Sequence, residues 1–542
     1  MNIRILLCFA LTILLNTGLK GQTKQKTNVI FILIDDVGPG WIQPYAKRLS
    51  TEDIEPEITK AYQAKQKKYK VDVANHLDAA QNAMPFLDKL ANEGAVFDRC
   101  YTTASLCAPS RAGILTGCYQ QKWGAYDNTD IDRHTGIPKD VNCLAEHFDH
   151  SGYNTAMIGK WHVGLKDQSL KGTQEMQQEK KENDWKANRL GYETSCAKGH
   201  HPYDRGFDYY FGYNSPGSRY YKTNDLWEGW ERVPIRPEGE FLTELFNDKV
   251  KSFVQTSIDK EEPFFVFYAP MTLHGRIDPS PEIYSSQFNT GVPFTDTYAG
   301  HLLALDKGIE SIFKVLEEGK QMDNTIFVLC SDNGAPYGIP PYNAPYKGGK
   351  GTGWMGGSHT PLIMWYPKGI KKQISNELVS TTDILPTALD FAGISFDNSI
   401  DGKSLKPYLS GQVDHGPRTG LFSTGLHSTR WSHSYFGQRY KKDSEKCPLY
   451  TWSLNDENQV ILIITETPKG LYKEFPDGRP YEVSLFDLEK DVKQSKSILE
   501  DHQKTGNILM NNINSWLKTC QPPVENHQGD FKRLMELSSN NK

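Results

Sequence analysis

Residues 28–36 read NVIFILIDD: a short apolar run rich in β-branched side chains that stops abruptly at Asp35-Asp36 and a turn containing Gly38. A run this short and this apolar predicts a parallel strand buried on both faces, with acidic residues at its carboxyl end. Open α/β sheets carry their sites at that edge. The same signal recurs at residues 153–158, 263–268 (PFFVFY), 325–330 (TIFVLC) and 361–365 (PLIMW). Between these strands, residues 85–93 and 383–391 have helical spacing. Residues 298–316 place Leu302, Leu305, Ile309, Ile312, Phe313 and Leu316 on one helical face. Strands alternating with helices predict an α/β fold with a large, mostly parallel sheet flanked by helices. After about Ser410 the pattern changes. Residues 460–464 and 481–488 are expected as strands and 498–517 as a terminal helix. The chain therefore divides into a main domain (22–412) and a C-terminal α+β subdomain with a small antiparallel sheet (413–542).

Composition narrows the function. Lys+Arg total 61 and Asp+Glu 66, a net charge of −5, which excludes a general nucleic-acid binder. Arg4 followed by an apolar run over residues 5–15 and then polar residues is the pattern of a secretory signal peptide, here 1–21. The run is too short for a membrane span, which needs about 20 apolar residues. The mature chain is expected to be exported, periplasmic or secreted, with no membrane span. Export permits disulfides among the eight cysteines left when Cys8 of the nine is removed, and no CxxC pair suggests a metal cluster on sulfur. Two polar insertions, 45–83 and 166–198, interrupt the main domain.

Several strand ends deliver residues of one kind. Asp35, Asp36, Asp332 and Asn333 are hard oxygen donors at the ends of two strands, a set suited to Ca²⁺ or Mg²⁺. Lys160, His162, His274 and Lys350 follow other strands or lie in Gly-rich loops. The most specific segment is Cys107-Ala108-Pro109-Ser110-Arg111, continuing to Leu115-Thr116-Gly117. This segment resembles the type I sulfatase family of the alkaline-phosphatase superfamily, whose motif is Cys-x-Pro-Ser-Arg followed by Leu-Thr-Gly. The resemblance extends in order along most of the chain: residues 28–38, 85–97, GKWHVG at 159–164, Arg205-Gly206-Phe207-Asp208, residues 298–306 and 331–334, Gly348-Gly349-Lys350-Gly351, and LFDL at 485–488.

The resemblance implies a sulfuric ester hydrolase whose main domain is catalytic. It implies that a formylglycine-generating or sulfatase-maturating enzyme oxidises Cys107 to formylglycine (3-oxoalanine). It implies one Ca²⁺ on Asp35, Asp36, Asp332, Asn333 and the modified Cys107, with Arg111, Lys160, His162, His274 and Lys350 lining the sulfate pocket. The aldehyde hydrate carries two hydroxyls on one carbon: one attacks sulfur, and loss of the second proton lets the adduct collapse and expel sulfate. His274 is expected to protonate the leaving oxygen and His162 to assist collapse. The chain departs from the family after Lys350, where Trp354-Met355-Gly356-Gly357 and His359-Thr360-Pro361 replace Trp-Glu-Gly-Gly and Arg-x-Pro.

Two alternatives stand beside this reading. One is a phosphomonoesterase or phosphodiesterase of the same superfamily, which would need two zinc ions and further His ligands. The other is a non-catalytic sulfoglycan-binding protein with an unconverted Cys107. The expected substrate is a sulfated polysaccharide or its oligosaccharides, of the algal ulvan or carrageenan type or a glycosaminoglycan. Both insertions, together with Trp185, Arg219-Tyr220-Tyr221 and Trp227–Trp230, are the expected substrate rim.

Overall fold

The computed structural model describes residues 25–170, 191–221, 226–233, 240–275, 277–336, 338–397, 399–426, 449–464, 482–524 and 527–539. The expected signal peptide (1–21), Cys8, Trp185 and Cys447 lie outside the described residues. The main sheet uses β1 (Asn28–Ile34), β2 (Ala95–Phe97), β4 (Asn154–Lys160), β5 (Tyr209–Tyr213), β6 (Trp227–Glu228), β7 (Glu231–Arg232), β8 (Phe264–Ala269), β9 (Thr325–Ser331), β10 (Leu362–Trp365) and β11 (Gln373–Ser375). Their order is β11-β2-β10-β9-β1-β8-β4-β5-β6-β7. A minor pair joins β3 (Cys100–Tyr101) to β12 (Val379–Ser380).

The centre of the sheet, β9-β1-β8-β4-β5, is wholly parallel. β1 explains why. Every residue in it is buried, and alternate side chains enter two different cores. Ile30, Ile32 and Ile34 join one; Val29, Phe31 and Leu33 join the other. A strand covered on both faces needs apolar residues at every position, which is why the run shows no alternation. The first core is closed by α3 (Pro85–Glu93), α5 (Leu242–Asp259) and α6 (Pro293–Glu318), the last through Leu302, Leu305, Ile309, Ile312, Phe313 and Leu316. The second is closed by α4 (Cys107–Thr116) and α7 (Ile384–Ala392).

The insertion at 45–83 carries α1 (Pro56–Lys65) and α2 (Val73–Asn82), and its apolar side joins the first core through Tyr62, Val71, Ala79 and Ala80. Residues 361–365 form β10 as expected, but antiparallel to both neighbours. The smaller sheet is antiparallel throughout: β13 (Gly420–Leu426), β14 (Leu449–Asn455), β15 (Gln459–Ile464) and β16 (Glu482–Asp487). One face packs on α8 (Gln503–Leu517) through Leu509, Met510 and Ile513; the other meets Tyr101, Trp354 and Met355 of the main domain. The helix expected at the end of the chain is not the last one. Pro522-Pro523 break the chain, and α9 (Gln528–Ser539) follows. The seven described cysteines are all free and buried.

Close backbone approach fixes the spacing of β4. Gly159 has φ +106°, and a Cβ there would lie 2.0 Å from the Ala269 carbonyl oxygen. We expect Gly159→Ala to lower the unfolding free energy by more than about 2 kcal/mol in a urea titration, through strain and displacement of β8. A loss below about 0.5 kcal/mol, the level of a neutral surface change, would contradict that packing.

Candidate active site

Four parallel strands end at one edge, and each delivers part of one cluster. β1 leads into Asp35 and Asp36, and the β1–β9 register, with Ile34 opposite Ser331, brings Asp332 and Asn333 alongside. β4 ends in Lys160, followed by His162, and the turn after β8 presents His274. Asp36, His162 and Leu273, the residue before His274, have φ of 62°, 55° and 71°. Left-handed backbone at non-glycine residues is costly, and here it re-aims the chain at three strand ends. Helix α4 begins at Cys107, so Arg111, four residues on, lies on the same face. The loop carrying Lys350 is held by Asn343, whose side chain accepts from the Ala335 amide at 2.9 Å and donates to the Gly348 carbonyl at 2.9 Å.

The predicted residues converge. Lys160 Nζ lies 2.8 Å from Asp35 Oδ2, Lys350 Nζ 2.6 Å from Asp36 Oδ1, and Arg111 Nε 2.8 Å from Asp332 Oδ2. Arg111 also approaches Asp35 at 3.4 Å and donates to the Lys160 carbonyl at 3.0 Å. Asn333 Nδ2 donates to Asp36 Oδ1 at 2.8 Å, and the Asp36 amide donates to Asp332 Oδ1 at 3.1 Å. Cys107 Sγ lies 3.8 Å from Asp35 Oδ1, 3.6 Å from Asp36 Oδ1 and 2.8 Å from Lys350 Nζ. His274 Nε2 stands 3.8 Å from Asp36 Oδ2, at the rim of the cluster, where its side chain keeps 14% exposure. His162 is the exception: it is fully buried, and its nearest charged partner is Asp132, 3.4 Å from Nε2.

Charge balance governs this site. Burial opposes ionisation of Asp35, but Lys160, His274 and Arg111 outweigh it and hold the carboxyl well below the usual carboxylate range. Asp36 behaves likewise: burial raises it, and Lys350 and His274 bring it below its ordinary value. Burial pushes the Cys107 thiol well up, against the pull of Lys160 and Lys350. A raised thiol is a weaker nucleophile than a thiolate. Burial also lowers His274 to about 4, with Asp35 acting against it. Its Nδ1 bonds the Gly275 carbonyl at 2.9 Å, so Nδ1 carries the ring hydrogen and Nε2 is free of one.

The donors fit a hard divalent cation. Asp35, Asp36, Cys107 and His274 offer ligand atoms all within 4.8 Å of one another, and the side-chain oxygen of Asn333 is buried without a hydrogen-bond partner. Carboxylate and amide oxygens suit Ca²⁺ or Mg²⁺ rather than a soft metal.

Two expected rim residues sit elsewhere. Tyr220 is fully buried, and its hydroxyl bonds the carbonyls of Met271 at 2.9 Å and His274 at 3.3 Å; it supports the His274 turn instead of facing a ligand. Trp230 lies at the tip of the β6–β7 hairpin. β6 runs antiparallel to β5, with Gly212 opposite Trp227 and Phe211 opposite Glu228, so that tip points toward the amino end of β5, away from the site. Asp132, Asn343 and Tyr450 carry no signal in the sequence. The hydroxyl of Tyr450 accepts from the Ser105 amide at 3.0 Å, two residues before Cys107. None belongs to a motif; each acts through a loop whose path the sequence does not reveal. At the departure after Lys350, the Gly334 amide donates to the Gly357 carbonyl at 3.0 Å, and His359 bonds the Asp98 carbonyl at 2.8 Å.

The chain is similar to known proteins. A family model described as Sulfatase matches residues 27–394, and one described as N-sulphoglucosamine sulphohydrolase, C-terminal, matches residues 354–442. The chain is 29% identical over 539 residues to the uncharacterized sulfatase YdeN of Escherichia coli (strain K12), covering 96% of this chain and 90% of that protein. It is 26% identical over 488 residues to N-acetylgalactosamine-6-sulfatase of Mus musculus, covering 81% and 85%. Among solved structures, Ps i-CgsB in complex with k-i-k-neocarrahexaose shares the fold with a TM-score of 0.66 at 20% identity, covering 96% of this chain and 98% of that one. A protein in complex with its substrate D-glucosamine-2-N,6-O-disulfate gives 0.60 at 19%, covering 91% and 98%.

Replacing Arg111 with Met keeps much of its volume but leaves Asp332 and Asp35 without the guanidinium. With chelator present, we expect the unfolding free energy to fall by about 3–5 kcal/mol, the usual effect of breaking a buried pair from one side. A fall below about 1 kcal/mol, the range of an exposed pair, would show that the carboxylates do not depend on Arg111.

Proposed function

Since the chain belongs to the sulfatase family and is a sulfuric ester hydrolase, we propose that it removes sulfate from a sulfated polysaccharide or its oligosaccharides, through a formylglycine made from Cys107. The observation that carries this reading is the buried cluster itself. Cys107 opens a helix against three carboxylates, and three cations surround it. Burial pushes its thiol up, which disfavours the thiolate that a cysteine nucleophile would need. The hydrate of a 3-oxoalanine at 107 supplies two hydroxyls on one carbon. Its formation requires a formylglycine-generating or sulfatase-maturating enzyme as partner.

Asp35, Asp36, Asp332, Asn333 and the modified Cys107 would hold one Ca²⁺, which would supply Lewis acidity to the site when bound. With the carboxylates so engaged, Lys160 and Lys350 bind the negative oxygens of the ester, and Arg111 orients the side chain at 107. His274 protonates the leaving alcohol. Its ring is neutral in the free enzyme, so the ester's negative charge is what favours the second proton, at Nε2. His162 takes a proton as the adduct collapses. Asn333, standing where a two-zinc phosphatase would offer His, favours this reading over a phosphoesterase.

Substrate choice follows from the loops at this edge. Ile58 of the first insertion packs with Ala335 and Tyr342, beside the Asp332–Asn333 strand end, so that insertion borders the pocket. The named activity of the Mus musculus relative and the sugar bound to Ps i-CgsB support a carbohydrate sulfate. No helix among the described residues is long and apolar enough to cross a membrane, and export through residues 1–21 to the periplasm or medium is part of the proposal.

Cys107→Ala is expected to abolish sulfate release from an aryl sulfate and from defined sulfated oligosaccharides, with unchanged thermal unfolding. Mass spectrometry of the wild-type peptide should place residue 107 about 18 Da below the thiol form. Turnover by the Ala variant, or an unmodified thiol in active enzyme, would overturn the formylglycine reading. Elemental analysis is expected to find one calcium, and chelation should lower both activity and Tm; two zinc ions would point to a phosphoesterase.

A further inference from the structure

A buried carboxylate outside the charged cluster lies against His162. Residues Asp130–Thr135 form a single turn of π-helix, a form that is rare and recurs at functional sites. This turn brings Asp132 onto the loop that follows β4. Asp132 Oδ1 lies 3.4 Å from His162 Nε2, and Oδ2 lies 3.5 Å from Lys166 Nζ. The Asp132 carbonyl accepts from the Lys166 amide at 3.0 Å, and Lys166 Nζ continues to Glu193 at 2.8 Å. Asp132 is 5% exposed and His162 not at all. The other charged or titratable groups facing the pair are Lys160 and Arg111 beside His162, and Cys196 beside Asp132. The 3.4 Å separation is longer than a good hydrogen bond. Such contacts in ligand-free enzymes tighten in the substrate complex.

The proton on this pair has one place to sit. Burial keeps the His162 ring neutral, lowering it to about 4 against the pull of Asp132. Asp132 is opposed by burial, but His162 and Lys166 hold it below its ordinary value, so it is a carboxylate. A neutral imidazole carries one ring hydrogen, and a carboxylate only accepts. The hydrogen therefore belongs on Nε2. Both ring nitrogens and Asp132 Oδ1 are buried without a partner at hydrogen-bond distance, and of the two nitrogens Nε2 is the one 3.4 Å from the carboxylate, so a hydrogen on Nε2 leaves Nδ1 its lone pair.

Resting on the sulfatase reading, we propose that Asp132 is a positioning residue that fixes His162 as the Nε2–H tautomer and leaves Nδ1 as the proton acceptor of the reaction. When an O–H in the site gives its proton to Nδ1, the ring becomes an imidazolium, and the Asp132 carboxylate stabilises that charge. No covalent bond of Asp132 changes. The turn at 130–135, remote from the motif in sequence, thereby sets the basicity of a histidine inside it.

Asp132→Asn keeps the size of the side chain and removes its charge. The first measurement uses ¹⁵N-histidine-labelled protein, with His162 identified by comparison with His162→Gln. Wild type is expected to carry hydrogen on Nε2 and a bare Nδ1 at neutral pH, and the variant to lose that preference. The second measures aryl sulfate hydrolysis. Asp132→Asn should lower kcat at least about 10-fold with KM little changed, and move the acidic limb of the kcat profile to lower pH. Asp132→Glu should restore part of the rate. Hydrogen on Nδ1 in the wild type overturns the proposal, whatever the enzyme's activity. Wild-type kcat and pH profile in Asp132→Asn overturn it as well. A wild type that fails to hydrolyse any sulfate ester, while His162 keeps hydrogen on Nε2, overturns the functional reading and leaves the Asp132–His162 pairing standing.

Discussion

Three carboxylates buried at one edge of a sheet cannot stay ionised by themselves, because desolvation disfavours each of them and each repels the next. Asp35 and Asp36 are held below their ordinary values by the cations around them, and Asp332 pairs with Arg111; Lys160, Lys350 and Arg111 stand within 2.8 Å of the three carboxylates. These cations come from three separate parts of the chain: a strand end, a glycine-rich loop and the second turn of a helix. The cluster therefore ties the loops to one another as firmly as it prepares a site for an anion and a cation. Within the cluster these groups offset one another's charge.

The backbone is distorted where this cluster needs it. Asp36, His162 and Leu273 take left-handed conformations at the ends of three neighbouring strands. Glycines allow the rest to close: a Cβ at Gly334 would fall 1.8 Å from the Gly356 carbonyl oxygen, and one at Gly217 would fall 2.5 Å from the His274 ring. Close approach without side chains brings the end of β9 against the loop after Lys350, and the segment at 217 against His274.

Much of this was legible in the sequence, for identifiable reasons. β1, β8 and β9 announced themselves because burial on both faces makes their interiors almost wholly apolar, with polar residues only at the ends. An acidic pair after one such run is an ordinary solvated turn; the end residues were legible because the pattern repeats at several strand ends and matches the family resemblance. Cys107 and Arg111 were legible through the Cys-x-Pro-Ser-Arg motif that carries the family resemblance. Periodicity also gave α6, though the helix runs beyond the predicted 298–316 to cover Pro293–Glu318. What stayed hidden depends on loops. Tyr220 looks like a surface aromatic beside Arg219 and Tyr221, and only the path of residues 214–221 around His274 buries it. Asp132 sits among other acidic residues in the segment 127–140, and only the π-turn selects it for His162. The antiparallel direction of β10 was hidden too, because apolar content reports burial and says nothing of strand polarity.

Because β1 sends alternate side chains into separate cores, the sheet works as a partition. The insertion at 45–83 packs through Tyr62, Val71, Ala79 and Ala80 on one side of it. The helix that begins at Cys107 packs through Ala108, Ala112, Ile114 and Leu115 on the other. A change of length or composition in the insertion meets the wall of the sheet before it can disturb the layer that seats residue 107. Descendants of this chain could thus exchange what borders the pocket by recombination or drift, while the machinery beneath it stays in register, and new sugar preferences would be open to selection without rebuilding the reaction.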